Sequence, residues 1–128
     1  MAIFPKNHKL AELSAIPPRE LEKEPFISLL HSSSHDIHRA LDQAGIRPNI
    51  RFSTKDDYAI LAMVQQGLGV SIVPQLLLKG NEKDLEIRPL DPPVSRTIAL
   101  AIPGGEELPI VEAFVETAVE WLHKNGSR

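Results

Sequence analysis

Two hydrophobic periods alternate along the chain, and this alternation constrains the fold more than any other feature. Short apolar runs typical of strands exchange with stretches whose apolar residues recur at helical spacing. Eleven prolines and seven glycines separate these segments. The resulting order is β, loop, β-α-β-α-β, turn, β, β-α. This order predicts an α/β fold with a mainly parallel mixed sheet flanked by helices.

The predicted strands are short and mostly end at prolines or polar turns. They cover 2–5, 26–30, 49–53, 70–74, 84–88 and 96–102. The run at 70–74 reads VSIVP and is apolar through most of its length. Such a run is typical of a strand that is covered on both faces.

The predicted helices follow these strands closely. Ile37, Ala40, Leu41 and Ala44 form one apolar stripe, and Gly45 suits the end of that helix. Short helical turns are expected at 19–23 and 75–79, and an amphipathic helix at 107–124.

The helix after the strand at 49–53 carries the body YAILAMV, which is apolar nearly all round and is expected to be deeply buried. Ser53 or Thr54 is its expected N-cap, with Asp56 and Asp57 in the first turn. The later GLG lacks a complete dinucleotide-binding fingerprint, and it indicates a helix stop and a tight turn.

Length and composition narrow the function classes. The chain has 128 residues, a net charge of −3 and no cysteine. That length suits one domain. The missing cysteines exclude disulfides, thiolate catalysis and cysteine-ligated zinc. No apolar run reaches the roughly 20 residues that span a bilayer, and the scattered basic residues form no nucleic-acid-binding face.

Two strand-to-helix turns, at 31–34 and 53–55, are expected to open on one edge of the sheet, where α/β proteins bind ligands. The first turn holds Ser32, Ser33 and Ser34, more hydroxyls than helix capping requires. Hydroxyls beside free N–H groups at a helix start suit a carboxylate, sulfate or phosphate. Plain capping is the alternative interpretation.

Three histidines near the same turn raise the hypothesis of a metal site or an enzyme active site. His31, His35 and His38 resemble a ligand set only loosely, because no acidic HExxH pattern accompanies them and the helix-start histidines are expected to face solvent. The serines lack a G-x-S-x-G elbow and a placed His–Asp pair. We therefore expect no catalytic residue, no metal and no cofactor.

Several phrases in sequence order resemble the effector-binding domain of LysR-type transcriptional regulators. IFPKNHKLAEL resembles the family's hinge strand, and EPFISL resembles its next strand. HRALDQAGIRPNI, VQQGLGVSIVP and RTIALAIP follow in family order. The resemblance covers nearly the whole chain and depends on the order and spacing of these phrases.

The resemblance implies a two-lobed fold similar to type 2 periplasmic binding proteins. It also implies a cytoplasmic, oligomeric bacterial regulator in which a small effector between the lobes alters binding to promoter DNA. The chain resembles the second lobe, roughly 6–95, plus hinge strands and the final helix. Promoter DNA is then expected to be bound only through a winged-helix domain that this sequence lacks, and no membrane partner is expected.

The family's second-lobe effector contacts fall on positions that the resemblance transfers to this chain. They are His31, Ser32, Ser33, Ser34, Thr54, Val73 and Pro74. The serine run favours an anionic effector.

The final helix carries an apolar stripe formed by Ile110, Phe114, Ala118 and Trp121. In the family this helix packs on the first lobe. We therefore expect the stripe to pack against another copy of the chain or to fold back onto its own lobe.

Two other functions remain open from the sequence. A lobe of a transport system's solute-binding protein shares the expected fold. A small hydrolase or metal enzyme using the His/Ser loop is the weaker alternative. Fold resemblance alone does not decide between them.

Overall fold

The computed structural model describes residues 1–30, 35–95, 97–102 and 108–125, and it gives only the backbone of His35 and Asp36. It groups the chain into two compact units, Met1–Arg96 and Thr97–Arg128. The first unit contains all described strands and the candidate ligand site.

The elements of the first unit lie close to the predicted segments. Its strands are β1 (Ala2–Pro5), β2 (Pro25–Leu29), β3 (Asn49–Thr54), β4 (Ser71–Ile72) and β5 (Leu85–Arg88). Its α-helices are α1 (Pro18–Leu21), α2 (His35–Gln43), α3 (Asp57–Gln65) and α4 (Gln75–Leu78). A 3-10 helix at Lys9–Glu12, which the sequence analysis did not predict, lies between β1 and α1.

Strand pairing confirms the α/β class and the mixed sheet. β1 pairs antiparallel with both β4 and β5, while β2 and β3 pair in parallel. A parallel bridge between Phe26 and Val70 joins these two groups. The described strands therefore follow the order β3-β2-β4-β1-β5. All but β1 run in the same direction.

Two apolar clusters form the core of the first unit. Phe4, Phe26 and Leu41 belong to one cluster, which α2 covers. Ile3, Ile27 and Ile60 belong to the other, which α3 covers. Neighbouring residues of β1 and β2 divide between the two clusters, as expected because side chains alternate across a strand.

Helix α3 is buried on one face rather than all round. Ile60, Leu61 and Val64 are buried, whereas Tyr58 is 64% exposed. The prediction of burial nearly all round is therefore wrong, because apolar residues also occur singly on protein surfaces.

The strand predicted at 96–102 is wrong for its described part. Residues 97–102 have no strand pairing with any described residue. Ile98, Leu100 and Ile102 are 76%, 55% and 50% exposed. A strand requires ladder hydrogen bonds from a neighbour, and an alternating sequence cannot provide that neighbour by itself.

The second unit contains one long helix, α5 (Pro109–Asn125), close to the predicted bounds. Ile110, Phe114 and Trp121 on the predicted stripe are 76%, 63% and 61% exposed. No helix in the described part of the chain is both long and apolar enough to cross a bilayer.

Candidate functional site

The carboxyl ends of three parallel strands form one edge of the first unit. Leu29 at the end of β2 is in register with Thr54 at the end of β3, and the Leu30 N–H donates to the Thr54 carbonyl at 2.8 Å. Val73 and Pro74 follow β4, which runs in the same direction. Helices α2, α3 and α4 each begin after one of these strands, so three strand-to-helix turns share this edge.

The structure describes three of the seven predicted effector contacts. Thr54, Val73 and Pro74 lie on the carboxyl edge. His31, Ser32, Ser33 and Ser34 lie outside the described residues. In the chain they follow β2 and precede α2.

The cap of α3 differs from the prediction. Asp56, rather than Ser53 or Thr54, is the N-cap, and its Oδ1 accepts from the N–H groups of Tyr58 and Ala59 at 2.8 and 3.3 Å. The Thr54 hydroxyl accepts from the Asp56 N–H at 3.1 Å. The helix begins later than expected because aspartate is itself a strong N-cap.

The Asp56 cap limits the hydrogen-bond donors that the turn between β3 and α3 presents to a ligand. The Asp56 carboxylate already accepts from two N–H groups at the start of α3 and places a negative charge there. The start of α3 is therefore unsuited to bind an anion. The half-buried Thr54 hydroxyl and the exposed Lys55 ammonium remain as donors in this turn.

Lys55 is a candidate that the sequence analysis missed. Its side chain makes no ion pair with a described residue, although Asp56 and Asp57 follow it. A single lysine gives no motif in a sequence, and only its position after β3 singles it out.

Val73 and Pro74 contribute shape rather than polar groups. Val73 is 2% exposed, its N–H donates to the Met1 carbonyl at 3.0 Å, and its carbonyl accepts from the Met1 ammonium at 2.9 Å. Burial lowers the pKa of that ammonium. Pro74 has no N–H and precedes α4. The Val73 side chain and its backbone groups are therefore already engaged within the fold.

A hydrogen bond joins a side chain of β2 to a side chain of α2. The Oγ of Ser28, which is 2% exposed, lies 3.1 Å from Nε2 of the half-buried His38. The expectation that His38 faces solvent is therefore wrong. Ser28 stands within the otherwise apolar strand segment FISLL, and that position was the available signal. The bond therefore fixes the position of α2 against β2.

The described side chains include no group of three or more His, Asp or Glu residues placed to hold a metal ion. His38 engages Ser28, and His8 instead lies 3.5 Å from a Glu24 oxygen in another part of the unit.

The fold and this edge are typical of open α/β proteins, which bind ligands beyond the carboxyl ends of their strands. The family model described as LysR substrate binding domain matches residues 1–123. The chain therefore belongs to the LysR substrate-binding domain family.

Relatives agree with this assignment. The chain is similar to the HTH-type transcriptional regulator YybE of Bacillus subtilis (strain 168), with 30% identity over 118 residues, covering 90% of this chain and 40% of YybE. The chain spans about 40% of the length of this and another curated relative that it matches.

Two solved structures share the fold at lower identity. The effector-binding domain of QuiR in complex with shikimate has a TM-score of 0.73 and 16% identity, covering 97% of this chain and 61% of that one. The CcmR regulatory domain of Synechocystis PCC6803 in complex with 2-PG has a TM-score of 0.72 and 22% identity, covering 91% and 59%.

Proposed function

We propose that this chain is an effector-sensing domain of a bacterial transcriptional regulator, and that it binds a small anionic metabolite at the carboxyl edge of its sheet. The observation that carries this proposal is the convergence of three strand-to-helix turns on one edge, in a member of the LysR substrate-binding family. Open α/β sheets bind their ligands beyond the carboxyl ends of the strands.

The residues of this edge favour an anion with several oxygen atoms. Ser32, Ser33 and Ser34 bring hydroxyls to the start of α2, Thr54 adds a hydroxyl, and Lys55 adds a positive charge. His31 completes the predicted polar set. The domains of similar fold from QuiR and CcmR were solved with shikimate and 2-PG. Both observations agree with a carboxylate or phosphate ligand.

The proposed site is half of a cleft. Residues 6–95 form the second lobe of an effector-binding domain, and the hinge strands and the helix at 107–124 accompany it. A first lobe supplies the opposite wall, since a closed site buries most of a small ligand. Promoter DNA is bound through a separate winged-helix domain.

The relatives, which are transcriptional regulators, support the next feature of the proposal. The protein acts in the cytoplasm, without enzymatic activity, cofactor or membrane partner. It self-associates through the apolar face that carries Phe114 and Trp121.

A thermal-shift screen tests the site. Metabolite carboxylates, inorganic phosphate and sulfate are added to the wild-type chain and to Ser33→Ala, Thr54→Val and Lys55→Gln. A ligand of this edge raises the Tm of the wild type and loses most of that increment in the three variants, because each variant removes one donor.

A matched control removes a hydroxyl elsewhere. Thr117 lies on α5, where its hydroxyl donates to the Ala113 carbonyl at 2.8 Å. Thr117→Val should keep the full ligand-induced increment. A ligand that stabilises every variant equally would place the site elsewhere. If no compound of the panel raises the Tm, helix capping alone would explain the serine run.

A further inference from the structure

The first unit contains an apolar cavity that the proposed effector site does not use. Its volume is about 290 Å³, and it lies between α2, the start of α1 and the segment that follows β5. Ile37 and Ala40 of α2 form one wall together with Ala44, which follows that helix, and Ile72 and Leu90 contribute to the rest. Every lining residue belongs to the first unit.

Hydrogen bonds join the segments that surround this cavity. The Ile16 N–H donates to the Pro89 carbonyl at 2.8 Å, and the Asp91 N–H donates to the Ile16 carbonyl at 3.0 Å. On the other side, the Arg47 N–H donates to Oε1 of Glu22 at 2.6 Å, which ties the end of α2 to the end of α1. The cavity is therefore preformed, and a ligand need not order its walls.

The size of the cavity sets the size of its occupant. An apolar cavity of about 150 Å³ holds one benzene molecule. A volume of about 290 Å³ therefore accommodates a fused two-ring side chain.

Two opposite charges also line this cavity. Arg19 and Asp91 both contribute to the lining, and both residues are exposed. They form no ion pair with each other, and neither side chain makes a hydrogen bond or ion pair with a described residue. A guanidinium recognises a carboxylate, and a carboxylate recognises an ammonium.

We propose that this cavity is a second ligand site that takes an aromatic α-amino acid. The aromatic side chain fills the apolar interior, the ligand carboxylate pairs with Arg19, and the ligand ammonium pairs with Asp91. The apolar contact supplies most of the affinity, because exposed ion pairs contribute little. The proposal concerns residues separate from the carboxyl-edge site.

L-tryptophan is the probe, and indole-3-propionate and tryptamine are its matched analogues, each lacking one charged group. Binding is measured by isothermal titration calorimetry and by shifts of the Ile37 and Ile72 methyl signals in NMR spectra. Removing either ligand charge should weaken binding about two- to fivefold, the range for an exposed ion pair.

Protein variants test the same contacts from the other side. Arg19→Gln should weaken the binding of L-tryptophan and of indole-3-propionate but leave the binding of tryptamine unchanged. Asp91→Asn should weaken the binding of L-tryptophan and of tryptamine. It should not weaken the binding of indole-3-propionate. Arg39→Gln is the charge control, since Arg39 is exposed on α2 and does not line the cavity.

Two filling variants test the cavity itself. Ala40→Leu and Ala44→Leu place new methyl groups in the existing space, and both should reduce L-tryptophan binding at least tenfold. Ala44 is exposed, so its variant keeps the test valid should Ala40→Leu fail to fold. Thr54→Val should leave L-tryptophan binding unchanged, which separates this site from the carboxyl edge.

The proposal is overturned by any of four results. These are no binding of L-tryptophan at millimolar concentration, binding that survives both filling variants, equal affinity for all three ligands, or an equal effect of Arg39→Gln and Arg19→Gln. Ile methyl shifts that depend on protein concentration without ligand would assign the cavity to a second copy of the chain instead.

Discussion

At the scale of single residues, Gly69 has the strictest steric requirement of the described glycines. A Cβ at this position would collide with the carbonyl oxygen of Pro25. The next residue, Val70, donates its N–H to that same oxygen at 2.8 Å. The bridge that joins β4 to β2 therefore requires a residue without a side chain. The sequence predicted a tight turn here but not this close approach, since the approach depends on a distant segment.

Gly69→Ala is expected to destabilise the chain by about 1–3 kcal/mol, the usual cost of overpacking. Urea unfolding followed by circular dichroism measures the change. Gly80→Asn is the control: Gly80 has a positive φ of 81° and open space around its Cα, and asparagine tolerates that conformation. Equal costs for the two variants would contradict the steric explanation.

Lys6 and Asp84 form an exposed ion pair of 2.9 Å next to the pairing of β1 with β5. The hydrogen bond from Lys6, and then its charge, hold the pKa of Asp84 below its ordinary value. A lowered folded-state pKa stabilises the fold above the unfolded-state pKa, about 3.9 for aspartate. This stabilisation is lost as the pH falls through the folded-state value.

Asp84→Asn should therefore lower the Tm slightly at pH 7, and the difference from wild type should vanish as the pH falls below about 4. The replacement suits the site, because Asp84 has a φ of 61° that asparagine also adopts. Molar NaCl should also reduce the difference at pH 7, because salt screens exposed pairs. A Tm difference that persists at pH 2 would rule out the ion pair as its cause.

At the scale of secondary structure, local chemistry fixed most boundaries. Gly45 and Gly67 adopt positive φ values of 69° and 75° at the ends of α2 and α3, as their positions in the sequence predicted. The cap of α3 could not be chosen from sequence, because Ser53, Thr54 and Asp56 all suit an N-cap. The strand expected at 96–102 failed for a different reason, since pairing depends on a neighbouring strand.

The Asp56 cap gives a prediction for α3. Asp56→Ala should destabilise the chain by about 1 kcal/mol, because it removes the acceptor of the Tyr58 and Ala59 N–H groups. Asp56→Asn should recover most of the loss, since the amide oxygen accepts the same bonds. Thermal unfolding measures both variants, and equal losses in the two would assign the effect to charge rather than to capping.

At the scale of the whole molecule, the order of the elements was more predictable than the ligand site. Alternating periods predicted the α/β class, and the strand directions confirm it. Thr54, Val73 and Pro74 lie at the carboxyl ends of parallel strands and share one edge, and their role as effector contacts stays a prediction. The sequence could not show that Asp56 caps the start of α3 or that the Val73 N–H donates to Met1, since both depend on particular hydrogen bonds.

The apolar face of α5 gives a prediction for the assembly. Phe114 and Trp121 are more than half exposed, and an apolar face of this kind favours association. Phe114→Glu should shift the chain toward monomer in size-exclusion chromatography with light scattering. Glu116→Gln, an exposed change on the same helix, is the control. A wild-type chain that stays monomeric at all concentrations would contradict self-association through this face.

Binding of an anionic effector at the carboxyl edge of the sheet can be observed residue by residue. The most direct test is an amide NMR titration of the labelled chain with the strongest stabiliser from the carboxylate and phosphate panel. We predict that the largest shifts fall on Leu30, on Ser32–Ser34 and on Thr54–Lys55. Shifts confined to other parts of the chain, with Thr54 and the serine run unchanged, would contradict the claim.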